Sequence, residues 1–168
     1  MRVYKLNTFT YTIDFPVLFL FMGVSFDIVS TFLFVVLNAG REAHPILGEL
    51  ISVSIWFIPV YLFTTNAFFV PFLSDILRKT LSYSIGLSGV LFSLNNFSLV
   101  LFSNAFLVDN IGYALMILIF VLFGFILFFY YVKIEKFNKV NIKNSFLQLF
   151  FYVIFIGLVN VLFFVITL

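Results

Sequence analysis

Cysteine is absent from this 168-residue chain, and histidine occurs once, as His44. The first absence removes disulfide frameworks, thiolate metal sites and cysteine nucleophiles together, and leaves the redox compartment open. The second removes HExxH and every other multi-histidine metal site. Charged residues make up only 10% of the chain and the net charge is +2. The few cations sit beside apolar segments, so no basic face for nucleic acid is present. Neither GxSxG nor a Walker loop occurs, and Gly86-Leu-Ser-Gly89 does not follow a strand into a nucleotide-binding helix. Asp27 is the only aspartate inside an apolar run, whereas an aspartyl intramembrane protease needs two in apposition. No catalytic residue, cofactor site or metal site emerges, and the balance leans away from an enzyme.

Apolar side chain is what the sequence has in excess: 64% of residues and a mean hydropathy of +1.22. A water-soluble domain of this size could not bury so much, and lipid is the expected solvent. The 28 phenylalanines read as lipid-facing and packing residues. Crossing the hydrocarbon core takes about 20 apolar residues, and five segments meet that length: 15–37, 45–72, 81–108, 111–132 and 146–168. The expected fold is therefore all-α, a single polytopic bundle of five spans over 1–168. The first span is too long for a signal peptide, carries Asp27 at its centre and lacks a small-residue cleavage site, so it is expected to remain in the mature chain. The second span would extend roughly 42 Å as straight helix against a core of about 30 Å, so tilt or a kink at Pro59 is expected.

Orientation follows from the cations. Arg2 and Lys5 precede span one, Arg78 and Lys79 lie between spans two and three, and Lys133, Lys136, Lys139 and Lys143 lie between spans four and five. Five spans put all of these on one face and leave only Arg41 on the other. Because positive residues concentrate in the cytoplasm, the N-terminus is expected inside and the C-terminus outside. A re-entrant second segment would instead divide the charges seven to two with the opposite orientation, but span length favours five crossings.

Polar residues inside spans carry the functional signal. Asp27 lies roughly 15 Å from the outer end of its helix, where an acid costs about 2.5 to 3.5 kcal/mol on insertion scales. Gly23, Asp27, Ser30 and Thr31 share one side of that helix, which is expected to face the bundle interior. Asp27 is then either a functional group or a neutral acid that ties helices together, and both readings stand. In the third span, Ser82, Gly86, Gly89, Ser93, Asn96, Val100 and Ser103 alternate steps of four and three. Such a row of small and polar residues is a seam for close helix packing. Asn95 and Asn96 come to about the depth of Asp27, so an Asp27–Asn96 hydrogen bond is expected. Pro45 suits the first position of the second helix, Glu42 and Glu49 suit its positive N-terminal end, and His44 borders it. An inward Glu49 would stand roughly 10 Å above Asp27 and complete a cation or proton site of hard oxygen ligands. Asn66, Asn104 and Asn160 lie nearer the helix ends, where interfacial hydration accounts for them.

The stretch Asp27-Ile-Val-Ser-Thr31, followed by Gly40-Arg-Glu42-Ala-His44-Pro45, resembles the signature D-x-x-x-T and G-x-x-E-x-N-P of a family of small prokaryotic membrane proteins catalogued as a domain of unknown function. His44 stands where that pattern has Asn, and Gly40 is one residue closer to the Glu. The resemblance implies that Asp27, Thr31, Glu42 and Pro45 act together near the outer half of helices one and two, and it implies no reaction.

Two functions from different classes fit these residues. One is an accessory or scaffold subunit of a larger membrane complex, partnered by other membrane subunits or by copies of itself. The other is a small proton- or cation-linked transporter or channel using Asp27, Glu49 and Asn96. The topology is testable in either case, because the chain has no native cysteine. A single cysteine at Asn110 should react with an impermeant thiol reagent added outside, and one at Asn138 should not. The reverse pattern would overturn the orientation.

Overall fold

The computed structural model describes residues 14–39, 45–103, 113–134 and 139–167, and among them every regular element is helical. The helices are α1 (Phe15–Val36), α2 (Pro45–Val53), α3 (Phe57–Asn66), α4 (Asp75–Phe102), α5 (Tyr113–Ile134) and α6 (Lys139–Thr167), with a 3-10 turn at Val70–Phe72. Three are long and apolar enough to cross a membrane: α1, α4, and α6 over Lys143–Ile166. The segments Phe57–Phe72 and Leu118–Ile134 are shorter apolar helical stretches.

α1 starts with a proline in its first turn, where a missing N–H and a fixed φ cost nothing. It ends in a Schellman motif: Asn38 turns left-handed at φ 57, its N–H bonds Val35 O and the Ala39 N–H bonds Phe34 O, both at 3.1 Å. Asparagine is one of the few non-glycine residues that tolerate that conformation. Helix α4 begins at Asp75, earlier than hydropathy indicates, because Asp75 in the first turn meets the helix dipole and pairs with Arg78 and Lys79 one turn on. Ser74, just before it, is tied to α6: its N–H donates to Gln148 Oε1 at 2.8 Å, and its hydroxyl lies 3.1 Å from the Ser145 hydroxyl.

The second expected span is not one kinked helix. It breaks at 54–56, ahead of Pro59, into α2 and α3. Pro59 offers no N–H to the carbonyl of Ile55, four residues back, and its ring would clash there. The preceding N–H groups turn inward by one residue instead: Phe57 bonds Ser54 O and Ile58 bonds Ile55 O, both at 3.1 Å, the spacing of a 3-10 turn. The chain tightens again around Pro71, where Phe72 bonds Phe69 O and Leu73 bonds Val70 O at 3.2 Å.

The closest packing is between α1 and α4, which run parallel. At one end Arg78 Nε meets Asp14 Oδ2 at 2.7 Å; at the other, Asn96 reaches Ser30 and Thr31. Midway, three glycines remove the side chains that would hold the helices apart. A Cβ on Gly23 would lie 2.6 Å from Gly86 Cα, one on Gly89 would lie 2.6 Å from the Gly23 carbonyl carbon, and one on Gly86 would run into the Phe19 ring. α5 packs antiparallel on α4, through Phe92 against Phe120 at 5.7 Å and Lys79 over the Tyr131 ring. α3 runs antiparallel to α6, with Tyr61 edge-on to Phe163 at 5.2 Å and Phe69 stacked on Tyr152. Leu47 and Leu50 of α2 join Ile58, Tyr61 and Leu62 of α3 and Val159 and Phe163 of α6 in one buried cluster. Helices α1, α4 and α6 thus point one way, and α3 and α5 the other.

The glycine crossing sets an expectation for mutagenesis. Gly23→Leu or Gly86→Leu should destabilise the bundle by more than about 1 to 3 kcal/mol, the usual cost of overpacking, because the obstruction at Gly23 is backbone. Gly157→Ala is the matched control, since nothing among the described residues lies within 4 Å of a Cβ there. Thermal denaturation in detergent should show a large loss for the first two and none for the third.

Candidate functional site: a polar cavity inside the bundle

A cavity of about 510 Å³ lies between α1, α2, α3, α4 and α6. Its position follows from the glycine crossing. With Gly23 seated on Gly86 and Gly89, the next two turns of each helix bring Asp27, Ser30 and Thr31 level with Asn95 and Asn96. Asp27 and Thr31 of α1 and Ser88, Asn95 and Asn96 of α4 line one wall. Thr65 and Asn66 of α3 and Asn160 of α6 line the other, while Val24, Leu62, Ile85 and Phe92 supply apolar area between them.

Hydrogen bonds hold the α1–α4 wall in order. The Asn96 Nδ2 group donates to Ser30 Oγ at 3.2 Å and to Thr31 Oγ1 at 3.1 Å. Each hydroxyl passes its own proton on: Ser30 to the Asp27 main-chain carbonyl at 3.1 Å, and Thr31 to Asp27 Oδ1 at 3.5 Å. Both hydroxyl protons are committed, so the Asn96 amide must present its NH2 side to them. One link from Asn96 to the Asp27 carboxyl thus runs through Thr31, which accepts from the amide and donates to Oδ1.

The opposite wall has its own network. Tyr61 OH donates to Asn160 Oδ1 at 2.7 Å, and Asn160 Nδ2 bonds back to Ile156 O at 2.9 Å. Thr65 bonds back to Tyr61 O at 2.8 Å, Asn66 donates to the Thr65 hydroxyl at 3.3 Å, and Tyr152 OH reaches Thr65 O at 3.4 Å. Hydropathy does not single out Tyr61, Thr65 and Tyr152; the one sequence cue is Tyr61 and Thr65 at i,i+4 within an apolar run. Asn66 and Asn160, nearer the helix ends, both line the cavity.

Ser82, Gly86, Gly89 and Ser93 are all buried along α4, with Ser93 bonded back to Gly89 O at 2.7 Å. Asn95 is 5% exposed and lines the cavity beside Asn96. Glu49 does not join them. It is exposed because the buried face of α2 is the one bearing Leu47 and Leu50, and Glu49 projects from the other side. Pro45 opens α2, while Gly40, Glu42, His44 and Asn104 lie outside the described residues.

The chain matches no known protein family, no curated protein and no solved structure. The chemistry of the cavity must therefore be read from its own residues. Among those lining it, Asp27 is the one acid and the other polar groups are amides and hydroxyls. No group of three His, Asp or Glu side chains converges among the described residues. A cation placed here would be held by one carboxyl and by neutral oxygens, which are hard ligands.

The Asn96–Thr31 bond can be weighed by a double-mutant cycle using Thr31→Val and Asn96→Leu. Interhelical hydrogen bonds in membrane proteins couple by about 0.6 kcal/mol on average and up to about 1.7 kcal/mol. A coupling within that range is expected, measured by unfolding in mixed micelles. A coupling of zero would mean that the two residues do not depend on each other.

Proposed function

We propose that this protein is a small polytopic membrane protein that binds a proton or small cation at Asp27 and carries it across the bilayer. The bundle crosses the membrane five times, with α3 and the 3-10 turn making the second crossing and α2 packed beside them. Its N-terminus is cytoplasmic. Support for the count comes from the alternating directions of the helices and from three segments with the length and hydropathy of spans. Support for the orientation comes from the clustering of cations.

The single observation that carries the functional reading is the composition of the cavity. It joins a carboxyl, four asparagines and several hydroxyls inside a bundle whose outer surface is built of exposed Phe, Leu, Ile and Val. Polar groups at such a depth are costly and are kept where they face an interior path or a bound solute. The volume suits a small solute with its partial hydration shell. Asp27 is the charge-bearing group, Thr31 and Asn96 orient it, and Asn66, Asn95 and Asn160 offer carbonyl oxygens and amide donors along the path.

An accessory role within a larger complex is favoured by a different observation. α5 packs chiefly on α4 and exposes Leu118, Leu122, Ile126 and Tyr130 on its outer side, leaving a full face for a second subunit. Mass after gentle extraction separates the two readings: a subunit co-purifies with stoichiometric partners, a carrier does not.

The carrier reading predicts that Asp27→Asn abolishes proton or alkali-cation flux in proteoliposomes loaded with a pH-sensitive dye, while the variant still folds and inserts. Asparagine keeps the shape of Asp27 and its ability to accept from Thr31, and removes only the ionisable group. Absence of flux in the wild type under imposed pH, Na⁺ and K⁺ gradients would leave Asp27 as a structural residue.

A further inference from the structure

A second cavity, of about 420 Å³, lies between α4, α5 and α6, on the far side of α4 from Asp27. Its wall is apolar and rich in phenylalanine, with Phe120, Phe125, Phe128 and Phe129 from α5 and Phe146 from α6. Several of these open it sideways, since Phe125, Phe129 and Phe146 are each more than half exposed. Two hydroxyls interrupt the wall. Thr80 and Ser84 sit one turn apart on α4, only 4% and 8% exposed, and neither hydroxyl oxygen has a hydrogen-bond partner among the described residues.

Hydroxyls on helices usually bond back to a carbonyl of the preceding turn, as Ser88, Ser93 and Ser98 do in this same helix. Leaving one buried and unpaired costs about 1 to 3 kcal/mol. Among the described residues a bridging water would find only these two unengaged hydroxyls, the lower limit of the two to four polar partners an ordered water takes. The other hydroxyls of the wall are already engaged, Ser88 with Ile85 O and Ser145 with Ser74. A mainly apolar occupant with an acceptor oxygen at the level of Thr80 and Ser84 meets the chemistry of the whole wall.

The charges around the cavity select the occupant. Lys133 follows Phe129 by one turn of α5, and Lys143 precedes Phe146 by three residues of α6; both are exposed. Lys79 is next to Thr80 and lies over the Tyr131 ring at the same end. Along the bundle axis the order is therefore cations, then hydroxyls, then hydrocarbon wall. A membrane phospholipid has the same order: phosphate, the oxygens joining chain to glycerol, and hydrocarbon. Basic pockets between helices at the cytoplasmic face are where anionic headgroups bind, and that face is the one on which these lysines fall in the proposed topology.

We infer that this cavity holds one hydrocarbon chain of an anionic phospholipid, its phosphate at Lys133 and Lys143 and its chain-linking oxygen at Thr80 and Ser84. The inference rests on the bilayer placement proposed above and not on the role of Asp27. Delipidated protein in detergent, titrated with phosphatidylglycerol or with phosphatidylcholine of the same chains and read by native mass spectrometry, tests it. Phosphatidylglycerol should bind about tenfold tighter or more. The double variant Lys133→Gln/Lys143→Gln should erase that preference while still binding both lipids. Gly124→Leu should abolish both, because a Cβ at Gly124 already comes within 3.2 Å of Ser84 Oγ and a longer side chain fills the cavity. Should that variant fail to fold, Thr80→Val with Ser84→Ala adds little volume and should weaken phosphatidylglycerol binding by about fivefold. Equal affinity for the two lipids, unchanged binding in a folded Gly124→Leu variant, or a lipid-free homodimer would each overturn the inference.

Discussion

Everything functional in this bundle depends on how closely α1 and α4 approach. Three glycines let backbone meet backbone, with the Gly23 and Gly89 positions so tight that any Cβ would overlap a main-chain atom of the facing helix. Between helices in lipid there is no hydrophobic driving force, and close van der Waals contact takes its place. The contact is also a register lock. A slide of one residue along either helix would bring a side chain into the crossing, so the polar residues two turns further on have one relative placement only. The Asp14–Arg78 ion pair at one end and the Asn96–Ser30–Thr31 bonds at the other are spaced to agree with that register.

The polar network is arranged economically around the locked pair. Asn96 spends both protons of its amide on hydroxyls of α1, and those hydroxyls spend theirs on Asp27. Most of the donors on this wall are satisfied within two helices, so α3 and α6 are free to build the opposite wall from Tyr61, Thr65 and Asn160. Two nearly self-sufficient walls facing each other leave a space between them, where a single interdigitated core would have left none. The cavity between α4 and α5 has a different origin. Phe128 stands edge-on to Phe129 and to Phe146, and these rings leave space beside the two small hydroxyls of Thr80 and Ser84.

The break between α2 and α3 shapes the rest. A continuous helix over 45–72 would carry Glu49 and Tyr61 on a fixed angular offset. Pro59 interrupts the ladder, and the tightened turn at 54–56 resets the phase. α2 can then bury Leu47 and Leu50 while α3 buries Ile58, Tyr61 and Leu62 in the same cluster. The outcome is that Glu49 is left outside and Tyr61 is turned in toward Asn160.

The sequence by itself determined the all-helical class, the apolar segments, the small-residue row on α4 and the depth of Asp27, Thr31, Asn95 and Asn96. Each of these follows from composition or from the 3.6-residue period, which are properties of one segment alone. Helix termini were less legible, because the left-handed Asn38 and the early start of α4 at Asp75 depend on main-chain and ion-pair partners that hydropathy does not register. Only the tertiary structure decided that Asn96 reaches Ser30 and Thr31, that Asn160 receives Tyr61, that Glu49 faces out, and that Thr80 and Ser84 open onto a cavity. The physical reason is common to all four. Depth along a helix is read by counting residues at about 1.5 Å each, but rotation about its axis and the choice of neighbour are fixed by packing between helices, which no single segment encodes.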